Sequence, residues 1–158
     1  MRRQSGLNPL TALLHRPDTG LFLLRLSIGG LMLFHGVHKL IHGIDGIIGM
    51  TTAKGLPTGF AYGVYLGELI APVCILIGWM VRPAAMGVAF TMVMSIYLAF
   101  GWQGFAINPF GGITVELNAL YFFGALALVF TGGGAYGIQR VPRLHRPDEP
   151  VNGRLRVF

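Results

Sequence analysis

Leu33-Phe34-His35-Gly36-Val37-His38-Lys39-Leu40-Ile41-His42 closes the first long apolar segment of the chain and holds three histidines and a lysine. At about 100° per residue on an α-helix, His35, His38, Lys39 and His42 fall within an arc of roughly 100°. They form a stripe rather than a ring. Polar groups on a helix of lipid-crossing length are costly, so they are expected to point into a bundle interior or a wet cavity and to mark a functional site.

Composition agrees that lipid is the main solvent. Of 158 residues, 53% are hydrophobic and only 11% charged, against about 25% charged in soluble domains. Mean hydropathy is +0.63. The net charge of +6 gathers at the two ends, in Arg2, Arg3 and Arg16 and in Arg140, Arg143, Arg146, Arg154 and Arg156. That distribution suits orientation and attraction to anionic lipid, and it argues against nucleic acid as a partner. Cys74 is the sole cysteine, which excludes an internal disulfide, a CxxC redox pair and a thiolate metal cage. The apolar run from Leu21 carries Arg25, His35 and His38 and lacks a prompt cleavage site, so it reads as a retained span rather than a signal peptide.

The chain divides into a cytoplasmic tail at 1–19, a membrane domain at 20–137 and a basic cytoplasmic tail at 138–158. A weak amphipathic piece lies near Leu7–Leu14. Four spans are expected at about 20–42, 60–80, 84–100 and 113–130, each close to the length needed to cross ~30 Å of hydrocarbon. The fold class is therefore all-α, an integral membrane four-helix bundle of up-down topology. Arginine-bearing tails and Arg82 in the second connection put both termini in the cytoplasm. The lipid bilayer is the first expected partner, and a bacterial or archaeal cell (inner) membrane is the expected location.

Within this frame Arg25 reads as snorkelling to the headgroups, with a partner inside the bundle as the alternative. Gly43–Gly59, with five glycines, reads as a flexible loop. Gly59, Gly63, Gly67 and Ala71 recur every four residues and offer a seam for a close neighbouring helix. Glu68 stands four residues before Pro72, whose ring denies the Glu68 carbonyl its helical donor. Val81-Arg82-Pro83 reads as a tight turn. Thr91 and Ser95 can bond back to their own helix. The uncharged Gly101–Gly112 loop suits a lid against the membrane.

Threading then brings acids and bases together. His35, His38, Lys39 and His42 lie in the outer half of the first span, Glu68 in the outer half of the second, and Glu116 near the outer start of the fourth. Pairing of Lys39 or a histidine with Glu68 is expected, with Glu116 completing the cluster. The histidines share one helix, which speaks against an internal haem ligated from facing helices. No metal site is assigned, although His35, Glu68 and Glu116 could conceivably ligate one.

At these residues the chain resembles the DoxX family of small four-span membrane proteins, itself similar to the DoxD subunit of thiosulfate:quinone oxidoreductase. The resemblance covers about residues 22–138. It rests on Arg25-Leu26, Gly29, Phe34, His35-Gly36 and Lys39-Leu40; on Gly67-Glu68-Leu69, Gly78 and Arg82-Pro83-Ala84-Ala85; on Met92 and Met94; and on Gly111-Gly112, Glu116-Leu117 and the Gly132–Gly137 run. The family commonly closes with Gly-x-Gly-Arg-Tyr-Ser-hydrophobic-Asp, whereas Gly134-Ala135-Tyr136-Gly137-Ile138-Gln139 lacks the arginine and the acid. His38 and His42 look particular to this chain.

The resemblance implies membrane redox work beside a quinone. His35 and Lys39 would donate protons, Glu68 and Glu116 would relay them, and Phe34, His38, Tyr65 and Tyr121 would line the quinone or quinol site. With no haem, flavin or iron–sulfur motif in the chain, a redox partner protein must carry the electrons. Two other classes compete. A proton-coupled small-molecule transporter would also use a proline-broken helix and buried acids, and with so few spans it would need a homodimer. A non-catalytic scaffold subunit would use the polar cluster only to lock its helices.

Overall fold

A computed structural model describes residues 16–139. The Leu7–Leu14 piece and the tail from Arg140 lie outside the described residues. Helix α1 runs from Pro17 to His42, α2 from Asp45 to Ala53, α3 from Thr58 to Ile77, α4 from Val81 to Phe105 and α5 from Glu116 to Thr131. Helices α1, α3 and α4 are long and apolar enough to cross a membrane, while α5 is apolar but only 16 residues long. The fold is all-helical, and an isolated bridge between Ile107 and Ile113 is the extended pairing among the described residues.

Helix α4 packs most extensively on α5 and also meets α3, while α1 lies against α3 and α5. Met32, Ile75, Val88, Ala85, Ala125 and Leu128 meet in the core. One end of the assembly, called the arginine end here, gathers Arg25, the finish of α3 and the segment after α5. The opposite, histidine end carries His38, His42 and α2.

Glycine sets the closeness of α1 and α3. A Cβ on Gly36 would overlap the Glu68 carbonyl, and one on Gly29 would lie 3.0 Å from the Pro72 carbonyl oxygen. A third contact, Gly67 on α3, sits against the Thr91 side chain of α4. By contrast, nothing lies within 4 Å of a Cβ built on Gly59 or Gly63. The expected four-residue seam is therefore split: Gly67 and Ala71 pack inside, and Gly59 and Gly63 stay open. Each long helix also contains one wide π turn, at Leu26–Gly30, Leu66–Ile70 and Ile96–Phe100. The α3 turn contains Glu68 and ends just before Pro72, where the hydrogen-bond ladder is already interrupted.

Several expectations are corrected here. Residues 43–59 are not a plain loop, because Asp45–Ala53 is helical. Thr51 and Ile44 are buried, the Thr51 hydroxyl bonds the Ile47 carbonyl at 2.7 Å, and the Lys54 ammonium sits 5.3 Å from the centre of the Tyr97 ring. Tertiary contact outweighs the roughly 1 kcal/mol per residue that glycine costs a helix. The tight turn is not Val81-Arg82-Pro83, which opens α4; it is Gly78–Met80, where Gly78 (φ 74°) and Met80 (φ 47°) are left-handed. Pro83 falls in the first turn of α4, where its missing N–H has no intrahelical partner to lose. The first part of the expected lid, Gly101–Phe105, continues α4 as a 3₁₀ turn.

Arg25 corrects the snorkelling reading. It is 1% exposed. Its Nε donates to the Ile75 carbonyl at 2.7 Å, Nη2 to Leu76 at 2.6 Å and Nη1 to Gly133 at 2.9 Å. Ile75 and Leu76 belong to the last turn of α3, whose carbonyls lack the usual i+4 donors; Ile75 also accepts from Gly78 N at 3.2 Å. A rigid fork of donors satisfies them and complements the negative end of the helix dipole. The segment after α5 is held to the same place. Ile138 and Gln139 donate to the carbonyls of Ile77 and Gly78 at 3.2 and 3.1 Å, Met80 N donates to Gln139 Oε1 at 2.9 Å, and Ala135 N donates to Asp18 Oδ1 at 3.0 Å. This chain thus ties down its closing segment without the arginine and acid of the family's usual ending.

Two variants test this account in detergent-solubilised protein. Gly36→Ala is expected to lower stability by about 1–3 kcal/mol, the usual range for overpacking, while Gly63→Ala leaves the thermal midpoint unchanged. Arg25→Met should cost at least about 2 kcal/mol, because charge-assisted bonds contribute ~1.5–3 kcal/mol each. An unaltered melting curve in either Gly36→Ala or Arg25→Met would refute the corresponding contact.

Candidate functional site

The approach of α1 to α3 carries Lys39 to Glu68. The Lys39 Nζ bonds Glu68 Oε2, forming the one ion pair among the described residues. Glu68 has a side-chain exposure of 6% and Lys39 of 25%. Burial of the carboxylate is therefore compensated by a partly exposed cation. The Tyr65 hydroxyl donates to the Lys39 backbone carbonyl at 3.3 Å, which steadies the α1 turn bearing the lysine. The expected pairing of Lys39 with Glu68 is present.

The other expected members separate. His35 meets Tyr121 edge to face, with centroids 6.2 Å apart, and Tyr121 is buried. His38 and His42 stack on each other at 4.1 Å, and His42 Nδ1 bonds the His38 carbonyl at 2.9 Å. Both are exposed, so the stripe does not enter the interior as a unit. Helix α1 has 26 residues, or about 39 Å at 1.5 Å per residue, more than the ~30 Å of hydrocarbon. Its last turn can stand clear of lipid, where exposed imidazoles carry little penalty.

Glu116 does not complete the cluster. It is exposed at the start of α5, and its carboxylate rests against Gly112. Helix α5, the expected fourth span, begins at Glu116 rather than near residue 113, which leaves this acid at the rim. The aromatic wall also disperses. Phe34 is 76% exposed, and Phe34, His38, Tyr65 and Tyr121 do not line the main cavity.

That cavity is a groove of about 880 Å³ between α3 and α4, reached by α2 at the histidine end. Its walls include Phe60, Leu66, Ile70, Phe90 and Leu98, and Lys39 and Glu68 border it. Thr91 and Ser95 lie on its α4 side. Thr91 Oγ1 donates to the Gly87 carbonyl at 2.9 Å. Ser95 instead accepts from Asn118 Nδ2 at 3.2 Å, a polar link from α4 to α5 that was not anticipated. The spacing of Gly87, Thr91 and Ser95, four residues apart, is the sequence signal that could have revealed this face.

A double-mutant cycle measures the pair. Lys39→Met and Glu68→Gln should each destabilise the protein by more than the double variant does, with a coupling of about 1–3 kcal/mol for interacting neighbours. Strict additivity of the two effects would mean that the groups do not interact.

A DoxX family model matches residues 20–101, just over half of the chain and all of α1 through the π turn of α4 apart from the first residues of α1. The matched stretch contains Arg25, His35, Lys39, Glu68, Thr91 and Ser95. No curated protein and no solved structure matches the chain. With three lipid-length helices, an arginine-clamped end and a family match that encloses the ion pair, this chain is a membrane protein of the DoxX family.

Proposed function

We propose that the chain is an integral subunit of a quinone-linked redox system, in which the Lys39–Glu68 pair handles protons for a quinone held in the bilayer. The observation that carries this reading is a buried, compensated acid–base pair bordering a groove large enough for a ligand. Membership of a family often linked to quinone-related oxidoreductases supports it.

Reduction of a quinone to a quinol takes up two electrons and two protons at its two oxygens. In this reading Lys39 donates to one oxygen, and Glu68 accepts or returns a proton beside it. On the same reading His35, edge to face with Tyr121, takes part in resupply, with Glu116 at the rim as the outermost acid. Electrons arrive from a partner protein, because the chain carries no recognised redox group. In this reading α1, α3, α4 and α5 are four antiparallel spans of one membrane domain. Both termini face the cytoplasm of a bacterial or archaeal cell, and the histidine end faces outward. The 16 residues of α5 are extended by the hairpin before it and the glycine turn after it.

The test is quinone reduction by membranes in which the chain and its copurified partner are present. Glu68→Gln and Lys39→Met are expected to reduce the rate by about 10²-fold or more, the lower range for a lost general acid or base, at unchanged chain level. His35→Ala should reduce it less. Full activity in both pair variants overturns the proposal. Proteoliposome flux that vanishes in Glu68→Gln without any quinone dependence would assign the pair to transport instead.

A further inference from the structure

The groove has a polar middle and an apolar half, and their chemistry specifies an occupant. From Phe60 to Cys74 it spans about 21 Å of helix at 1.5 Å per residue. Toward the arginine end its lining is apolar, with Ile70, Cys74, Ala84, Gly87 and Phe90. At mid-groove stand Lys39, Glu68 and Ser95.

Those polar groups are not fully used. Among the described residues the Lys39 ammonium makes one hydrogen bond, to Glu68 Oε2, although it has three N–H donors. Among the described residues the other Glu68 oxygen has no hydrogen-bond partner, and the Ser95 hydroxyl accepts from Asn118 with no acceptor for its own proton. A hydrocarbon chain filling this level would leave those groups unsatisfied in lipid, which is unfavourable. An anionic phospholipid head gains little either. Among the described residues Lys39 is the groove's one cation, and Glu68 already neutralises it. The complementary head is uncharged, accepts a hydrogen bond from Lys39 and tolerates a carboxylate beside it. The apolar half then takes a hydrocarbon tail.

We propose that the α3–α4 groove binds an uncharged lipid-phase amphiphile, a ring head bearing carbonyl or hydroxyl oxygens on a flexible hydrocarbon tail. The head rests between Lys39–Glu68 and Ser95, and the tail runs past Gly87 toward Cys74. Because the groove lies between two lipid-length helices, the molecule enters sideways from the bilayer. This deepens the quinone reading above and rests on it for the identity of the ring. It also moves the binding wall away from Phe34, Tyr65 and Tyr121.

Photolabelling tests the groove directly. The full chain is placed in phosphatidylcholine nanodiscs with a benzoquinone bearing a diazirine in its alkyl tail, irradiated, and mapped by peptide mass spectrometry. Labels are expected within 66–74 and 83–95, and an unlabelled short-tailed benzoquinone should compete for them. Gly87→Leu directs a side chain into the tail half, since a Cβ there meets only Ala71, at 3.7 Å. It should lower labelling at least about fivefold, the effect of losing roughly 1 kcal/mol of binding. Phe123→Trp, on the exposed surface of α5, should not. Labels spread evenly over all apolar helix faces, or absence of competition, would overturn the proposal even if Gly87→Leu failed to fold. So would a diazirine phosphatidylglycerol that concentrates in the groove as strongly as the quinone. Groove labelling without quinone turnover would refute the redox reading alone, and Lys39-dependent turnover with labelling elsewhere would refute the groove alone.

Discussion

How near α1 can lie to α3 governs the site. Two glycines seven residues apart on α1 face a stretch of α3 whose own ladder is broken by Pro72. The Glu68 carbonyl, deprived of its helical donor, rests against the bare backbone of Gly36. That approach lets a lysine one turn later reach the carboxylate of the same glutamate. The same residue therefore meets α1 twice, through its backbone and through its side chain. Any bulk at Gly36 acts on both contacts together, so packing and charge compensation cannot be separated in this part of the fold.

The opposite end follows another logic. In a low-dielectric medium the unpartnered carbonyls at the end of a helix are a burden, and water is not at hand to relieve it. Arg25 relieves it from a neighbouring helix, taking two carbonyls of α3 and one beyond α5. One guanidinium thereby joins three separate parts of the chain. Its own burial is compensated by carbonyl dipoles rather than by an acid. This explains how a charged residue can be enclosed in an apolar assembly with no carboxylate paired to it among the described residues.

Much of this arrangement was legible in the residues, for identifiable reasons. Apolar length revealed the three long helices, because hydrocarbon thickness is a hard constraint. The Lys39–Glu68 pair followed from matching depths, since opposite charges in lipid seek each other. Arg25 was ambiguous because its position near a span end suits either a headgroup or an interior partner, and the chain does not announce which carbonyls will be orphaned. Helix α2 was hidden by its glycines, whose intrinsic cost was outweighed by burial of Thr51 and Ile44. Glu116 and the two outer histidines were misplaced because depth along a helix does not give direction around it. Of the groove, only the α4 face had a sequence signal, in the spacing of Gly87, Thr91 and Ser95; its open side depends on what fails to pack on Gly59 and Gly63.

The π turns act on that rotational question. Each inserts about one residue beyond α-helical register, and one residue is worth roughly 100° of azimuth. A helix carrying such a turn presents one meridian to a neighbour below it and a different meridian above. In α3 the change falls at Leu66–Ile70: Gly59 and Gly63 before it stay uncovered, while Gly67, Glu68 and Pro72 engage α4 and α1. The helix is thus a phase-shifted rod whose two halves answer to different company. The groove runs along both of those halves, from Gly59 to Cys74.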